Sequence, residues 1–280
     1  MYIDKTTTTQ PKDTARLWRY MDFAKLVSLL ESEALYYPAA SAFRDPYECQ
    51  MPTAFADWLQ GEVFSGEQII EYQGNRIHSH DIGDLILGAW KLFRDTSFIS
   101  CWHLANVESA AMWNQYEQYG NVVAVRTTFG RFKDALVSSL PDVTGGNVSY
   151  IDFGRKRNDT RALDWSYLKR LSFSHEKEFR SIIHLSLPER LKLSPDTKGI
   201  RVPVVASVLI EEVFISPFAA EWLKELTEQM LDKYGVLCPV HHSPLYDPPT
   251  YLSELEPKAK EVVLRMAENA SVEKPQNTNG

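Results

Sequence analysis

The sequence is poor in cysteine, and what it has is scattered. Cys49, Cys101 and Cys238 are odd in number and far apart, which argues against a disulfide framework and against a zinc site built from paired Cys-x-x-Cys motifs. No stretch approaches the ~18 consecutive apolar residues that a membrane-spanning helix requires. The opening MYIDKTTTTQPKDT has no apolar core of the kind a signal peptide carries. The expectation is therefore a cytoplasmic protein in a reducing compartment, with no membrane partner. The basic excess of a nucleic-acid coat is missing as well, since the net charge is -7. There is no GxxxxGK[ST], no GxGxxG after a strand and no GxSxG elbow, so the common nucleotide and hydrolase signatures do not apply. His-Ser-His at 78 to 80 and His-His at 241 to 242 have neither clustered cysteines nor an HExxH helix beside them. They read as surface or loop residues, and no metal is expected.

What is present is ample apolar material. Hydrophobic residues make up 44% of 280, enough to bury a substantial core and more than a disordered chain carries. Residues 1–15 are polar and threonine-rich and read as a flexible arm. ARLWRYM fits a strand, and DFAKLVSLLESEAL a helix with Asp22 as its N-cap and Phe23, Leu26, Val27, Leu29 and Leu30 as its apolar stripe. LYYPAA is strand-like again, and SAFRDPYE is a turn fixed by Pro46. Spacings of three and four predict a helical insertion over 53–94. Strands then concentrate: TSFISCWH, NVVAVRTTF, GNVSYIDF, FRSIIHLSL, IRVPVV and VLIEEVFISP. The helices VESAAMWNQYEQYG, ending at Gly120, and FAAEWLKELTEQMLDKYG, ending at Gly235, lie among them. The pattern predicts one α+β domain over 16–252 with a central mixed or mostly antiparallel sheet, then a C-terminal helix and disordered tail over 253–280.

Charge gathers at one place. In LSFSHEKEFRSIIHL, a strand starting near Glu176 puts Glu176, Glu178 and Arg180 on one face and Lys177 and Phe179 on the other. Two readings stand side by side. The strand is an edge whose charged face meets water, or the charges form the lip of a site in which neighbouring carboxylates raise one another's pKa. A basic strip formed by Arg155, Lys156, Arg157, Arg161, Lys169 and Arg170 precedes it. That strip reads first as a solvated helix face and second as a nucleic-acid contact.

These segments carry a resemblance. LWRYMDFAKLVSLLESEALYYPAASAFRDPYE, SFISCWHLANVESAAMWNQYEQYGNVVAV and SHEKEFRSII resemble the three signatures of the uncharacterised bacterial family DUF2971, over roughly residues 16 to 216. More distantly, the order of elements is similar to that of ADP-ribosyltransferase folds. That resemblance implies an enzyme that takes NAD as its substrate. Arg19, with Tyr20, would grip the NAD, and Ser100 with Trp102 or Tyr116 would pack the nicotinamide ribose. Glu178 would be the essential late glutamate and Glu176 the acidic residue before it. Trp102, Trp113 or Tyr116 would stack on nicotinamide, although each taken alone reads first as core, since MW-x-x-Y at helical spacing is the mark of a packed helix face. Arg180 completes the expected cofactor-binding set, and Arg44, Asp45 and Glu48 of the FRDPYE turn support the site. The implied activity is transfer of ADP-ribose to a protein or nucleic-acid target, or hydrolysis of NAD, in the setting of bacterial conflict or phage defence.

Two other classes compete. A metal-dependent phosphodiesterase or nuclease could use Asp45, Glu48, Glu176 and Glu178 as hard oxygen ligands. A non-catalytic module could receive a nucleotide or partner peptide at the same strand mouth.

Overall fold

The computed structural model describes residues 2–4, 8–50, 57, 61, 69–72, 75–117, 120–137, 142–154, 165–249 and 257–267. They fall into two compact units, 1–242 and 243–280. The second carries an exposed helix over 257–267, in which Arg265 pairs with Glu261 one turn away.

The first unit is an α+β structure. In chain order its strands are β1 (Tyr2–Asp4), β2 (Arg16–Asp22), β3 (Ala34–Pro38), β4 (Ile69–Tyr72), β5 (Asn75–His78), β6 (Ser97–Leu104) and β7 (Val122–Thr128). After these come β8 (Val143–Asn147), β9 (Ser149–Ile151), β10 (Leu168–Arg170), β11 (Glu178–His184), β12 (Gly199–Pro203), β13 (Glu212–Ile215) and β14 (Val240–His242). Eight of them make one mixed sheet in the order β1-β8-β11-β6-β2-β7-β13-β14. Its interior pairs are antiparallel, and only the outermost pairs, β1 with β8 and β13 with β14, are parallel.

One face of this sheet holds the main core. Leu17, Met21, Trp102, Phe179, Ile183, Val123 and Val125 meet Leu26, Leu29 and Leu30 of the helix Phe23–Ser32 and Phe129, Phe132 and Ala135 of the helix Phe129–Ala135. Each fully buried leucine or phenylalanine contributes about 1.5–3 kcal/mol. Both helices are capped as their sequences allow: Asp22 accepts from the Lys25 N–H at 2.9 Å, and the Thr128 hydroxyl accepts from the Arg131 N–H at 3.3 Å. Gly120 and Gly235 take positive φ just past their helices, a conformation that costs glycine little. A smaller cluster lies on the opposite face, where Ile99 and Ile182 meet Ala40, Cys49 and Tyr167.

Several expectations are corrected. The arm over 1–15 contains β1, and the Asn147 N–H donates to the Thr9 carbonyl at 3.0 Å, so part of it is tied to β8. In the described part of 53–94 a hairpin of β4 and β5 precedes the helix Ser79–Thr96, so the insertion is not helical throughout. VLIEEVFISP begins at the end of a short helix, Ala206–Leu209, and is a strand only over β13, Glu212–Ile215. His241 and His242 lie in strand β14 and not in a loop; His241 is on the surface as expected, while His242 is half-buried with Nε2 3.1 Å from the Ala219 carbonyl. Of the basic strip, Arg155, Lys156, Arg157 and Arg161 lie outside the described residues. Lys169 and Arg170 lie in strand β10, so neither belongs to a helix face, and Lys169 is only 7% exposed.

The charged strand is not an edge. β11 runs between β8 and β6, in register Glu178↔His103, Phe179↔Trp102, Arg180↔Cys101 and Ser181↔Ser100. Glu178 is 6% exposed and Arg180 0%. Water is therefore not what these charges meet.

Candidate active site

The site begins with a gap in the sheet. β2 pairs with β7 along its whole length, from Arg16↔Thr128 to Asp22↔Val122. With β6 it pairs only at Leu17↔Leu104 and Trp18↔His103. The next contact described on that edge of β6 is the bridge Phe98↔Ala39, beyond the end of β3. Between those points the strands part and a cavity of about 440 Å³ opens. Because it is a slot in the sheet, side chains from both faces line it. Arg19 and Trp102 come from the face of the main core, while His103 and Glu178 come from the other.

Arg19 spans the slot. Its guanidinium donates to the Ser100 hydroxyl, donates to the Tyr36 carbonyl at 3.2 Å, and lies 5.4 Å from the centre of the Trp102 ring. Ser100 Oγ also accepts from Trp102 Nε1 at 3.1 Å, so Ser100 is a shared acceptor that fixes both residues. Among the described residues no carboxylate pairs with Arg19. Burial pulls its pKa down, yet a guanidinium keeps its proton in proteins. A permanent cation that meets no counter-charge among the described residues therefore borders the cavity.

The other notable wall is a network of buried ions. After the 3-10 turn Leu171–Glu176, Lys177 adopts a left-handed conformation with φ 41°, and β11 starts at Glu178 rather than at Glu176. The kink still leaves Glu176 and Glu178 converging on Lys169. The Lys169 ammonium donates to Glu176, to Glu178 Oε1 at 2.5 Å and pairs with Glu48 Oε1 at 3.1 Å. Arg180 donates from Nε to Glu178 Oε2, from Nη2 to Glu48 Oε2 and from Nη1 to the Ser166 carbonyl, all at 2.7 Å.

Three carboxylates face two cations, which leaves one negative charge in excess unless one carboxylate holds a proton. Burial first, then the hydrogen bond and negative charge of Glu178, push Glu176 up to about 8. Burial also works against ionised Glu178, but Arg180, the Glu176 hydrogen bond and Lys169 overcome it and hold Glu178 well below the usual carboxylate range. The proton belongs on Glu176, the network is neutral, and Glu178 is a carboxylate.

The remaining expected residues fall into three groups. Glu176, Tyr20 and Tyr116 line the cavity with Arg19, Trp102 and Glu178. Tyr20 is held by the Ser109 N–H, which donates to its hydroxyl at 2.9 Å, and burial pushes Tyr116 up to about 12. Ser100 and Arg180 stand behind this lining, bonded to Arg19 and Glu178 in it, and Glu48 stands one step further back, bonded to Lys169 and Arg180. Trp113, Arg44 and Asp45 do not line it. Trp113 is 0% exposed, packs edge-on to Tyr20 at 5.0 Å and donates to Glu108 at 2.7 Å. Arg44 is exposed. Asp45 accepts from Arg170 at 2.9 and 3.3 Å, which ties the turn bearing Glu48 to β10.

The sequence reading missed His103, Cys101 and Lys169. His103 lines the cavity opposite Glu178, with Nδ1 2.7 Å from the Glu176 carbonyl, and burial lowers its pKa. FISCWH contained the signal: pairing it antiparallel to β11 puts His103 and Cys101 on the glutamate face. No such signal marked Lys169, which read as one more surface cation. The oxygens of Glu48 and Glu178 that a divalent ion would use already face Lys169 and Arg180. Among the described residues no group of three or more His, Cys, Asp and Glu is arranged to hold a metal.

No protein-family description matches this chain, and no curated protein matches it. Solved structures do. Thermus sp. 2.9 DarT in complex with NAD+ aligns over 84% of this chain and 98% of its own, with 12% identity and a TM-score of 0.37. The same protein in complex with ADP-ribosylated ssDNA aligns over 84% and 96%, and in complex with carba-NAD+ over 84% and 97%, each with 12% identity and a TM-score of 0.36.

Proposed function

We propose that the slot binds NAD and that the protein breaks its nicotinamide–ribose bond, passing ADP-ribose to an acceptor or to water. One observation carries the reading: a single cavity is bordered by an arginine that pairs with no carboxylate among the described residues and by a glutamate held by a cation at each oxygen, with aromatic rings beside both. Its volume of about 440 Å³ lies within the roughly 300–1,000 Å³ usual for small-molecule sites.

The chemistry follows from the charges. Arg19 offers a planar fork to the diphosphate, the anionic part of NAD. Trp102 and Tyr116 offer apolar faces to a flat ring. When the bond between ribose C1′ and the pyridinium nitrogen breaks, its electron pair goes to the nitrogen and nicotinamide leaves neutral. The positive charge passes to the ribose as an oxocarbenium-like centre. A carboxylate already oriented there stabilises that charge without reorganising, an effect worth ~3–4 kcal/mol where it has been isolated. The acceptor then bonds to C1′ and gives up its proton.

Calorimetry of NAD with the wild type and with Arg19→Met tests the binding half. The wild type is expected to bind in the micromolar to millimolar range and Arg19→Met to bind markedly more weakly. Equal affinity of the two proteins, or no heat at millimolar NAD, overturns this reading.

A further inference from the structure

Glu178 has both oxygens engaged, Oε1 by Lys169 at 2.5 Å and Oε2 by Arg180 at 2.7 Å. Glu48 repeats the arrangement, with Oε1 3.1 Å from Lys169 and Oε2 2.7 Å from Arg180. The four side chains close a ring of alternating charge in which each carboxylate gives one oxygen to each cation. A buried ring of this kind is a weak source of stability, because the cost of desolvating ions cancels much of their attraction and apolar packing does as well. Orientation is what it supplies. A carboxylate gripped at both oxygens cannot rotate about its last bond.

A second observation points the same way. β10, which carries Lys169, pairs in parallel with β9 through Lys169↔Tyr150. The Tyr150 hydroxyl accepts from the Glu178 backbone N–H at 2.7 Å. Partners on one two-stranded unit thus hold Glu178 by its main chain and by its side chain. Arg170, next to Lys169, is bonded to Asp45 at 2.9 Å in the turn that presents Glu48.

We propose that Lys169, seated on the β9–β10 pair and steadied by Glu48, is a positioning residue that fixes the Glu178 carboxylate in its reactive orientation. This rests on the NAD reading for its chemistry but not for its geometry.

The test separates orientation from charge balance. Lys169→Met alone strands an extra buried negative charge and can fail to fold. Lys169→Met combined with Glu48→Gln removes one cation and one anion, keeping the Glu178–Arg180 pair and a neutral network. The double variant is expected to fold and to bind NAD with unchanged KM, while kcat for nicotinamide release falls on the order of 10- to 100-fold, as for a misplaced catalytic group. Lys169→Arg, which retains the cation, is expected to keep more of kcat than the double variant. A double variant with lowered thermal stability but wild-type kcat overturns the proposal and makes Lys169 structural only. If the wild type releases no nicotinamide, the NAD reading fails and the positioning claim is read by NMR of glutamate-¹³C-labelled protein. A Glu178 carboxyl resonance that shifts or splits in the double variant supports the claim, and an unchanged resonance overturns it.

Discussion

Glu176→Gln is a test of where the buried proton resides. In the unfolded chain Glu176 ionises near the ordinary value of 4.5, whereas in the fold burial and the neighbouring Glu178 push it up to about 8. Between those values the folded protein binds a proton that the unfolded chain does not. Stability from this group is therefore complete below about pH 4.5, declines as pH rises, and is gone above about 8. The limiting slope for one proton is about 1.4 kcal/mol per pH unit. Glutamine keeps the shape of the protonated acid and cannot ionise, so the variant lacks this slope. His103, whose pKa is lowered, acts in the opposite sense by favouring the fold as pH rises towards its ordinary 6.5. It is present in both proteins and cancels in their difference. Urea unfolding at pH 5, 6, 7 and 8 should give a stability difference between variant and wild type that grows in the variant's favour with pH. A difference that is flat with pH refutes the assignment of the proton to Glu176.

Gly145→Ala should destabilise the fold by about 1–3 kcal/mol in urea unfolding, because a Cβ there would lie 2.7 Å from the Phe179 ring and from the Tyr2 hydroxyl. Phe179 is fully buried and has no room to move, so an unchanged midpoint would contradict this packing. Trp113→Phe should lower stability by about 1–3 kcal/mol through loss of its bond to Glu108 and leave NAD affinity unchanged. Normal stability with loss of NAD binding would instead put Trp113 at the ligand.

Much of the fold was legible because its signals are local. The strand–helix–strand opening, the Asp22 cap and the stops at Gly120 and Gly235 each depend on a few neighbouring residues. β1, β10 and β14 have only three residues apiece and exist through partners distant in sequence, so no pattern announces them, whereas the equally short β9 fell inside GNVSYIDF. The hairpin of β4 and β5 was hidden because its apolar residues also satisfied helical spacing.

The site divides in the same way. Glu176 and Glu178 drew attention by their local charge density, and the period-two argument placed them together. They do meet, but through a 3-10 turn and a left-handed Lys177 that no alternation rule contains. Whether the charges faced water turned on the position of β11 inside the sheet, a property of strand order. Lys169 was unreadable for a related reason. Its burial depends on Glu48 and Glu178 arriving from other segments, and without them a lysine there would be a surface residue.

The most direct measurement is nicotinamide release from NAD by the wild type and by Glu178→Gln, with NAD binding to both measured in the same buffer. The wild type is expected to release nicotinamide, and the variant to retain binding with release reduced on the order of 100- to 1,000-fold. Equal release by both proteins would contradict this, as would a wild type that binds NAD and leaves it intact in the presence of water and candidate acceptors.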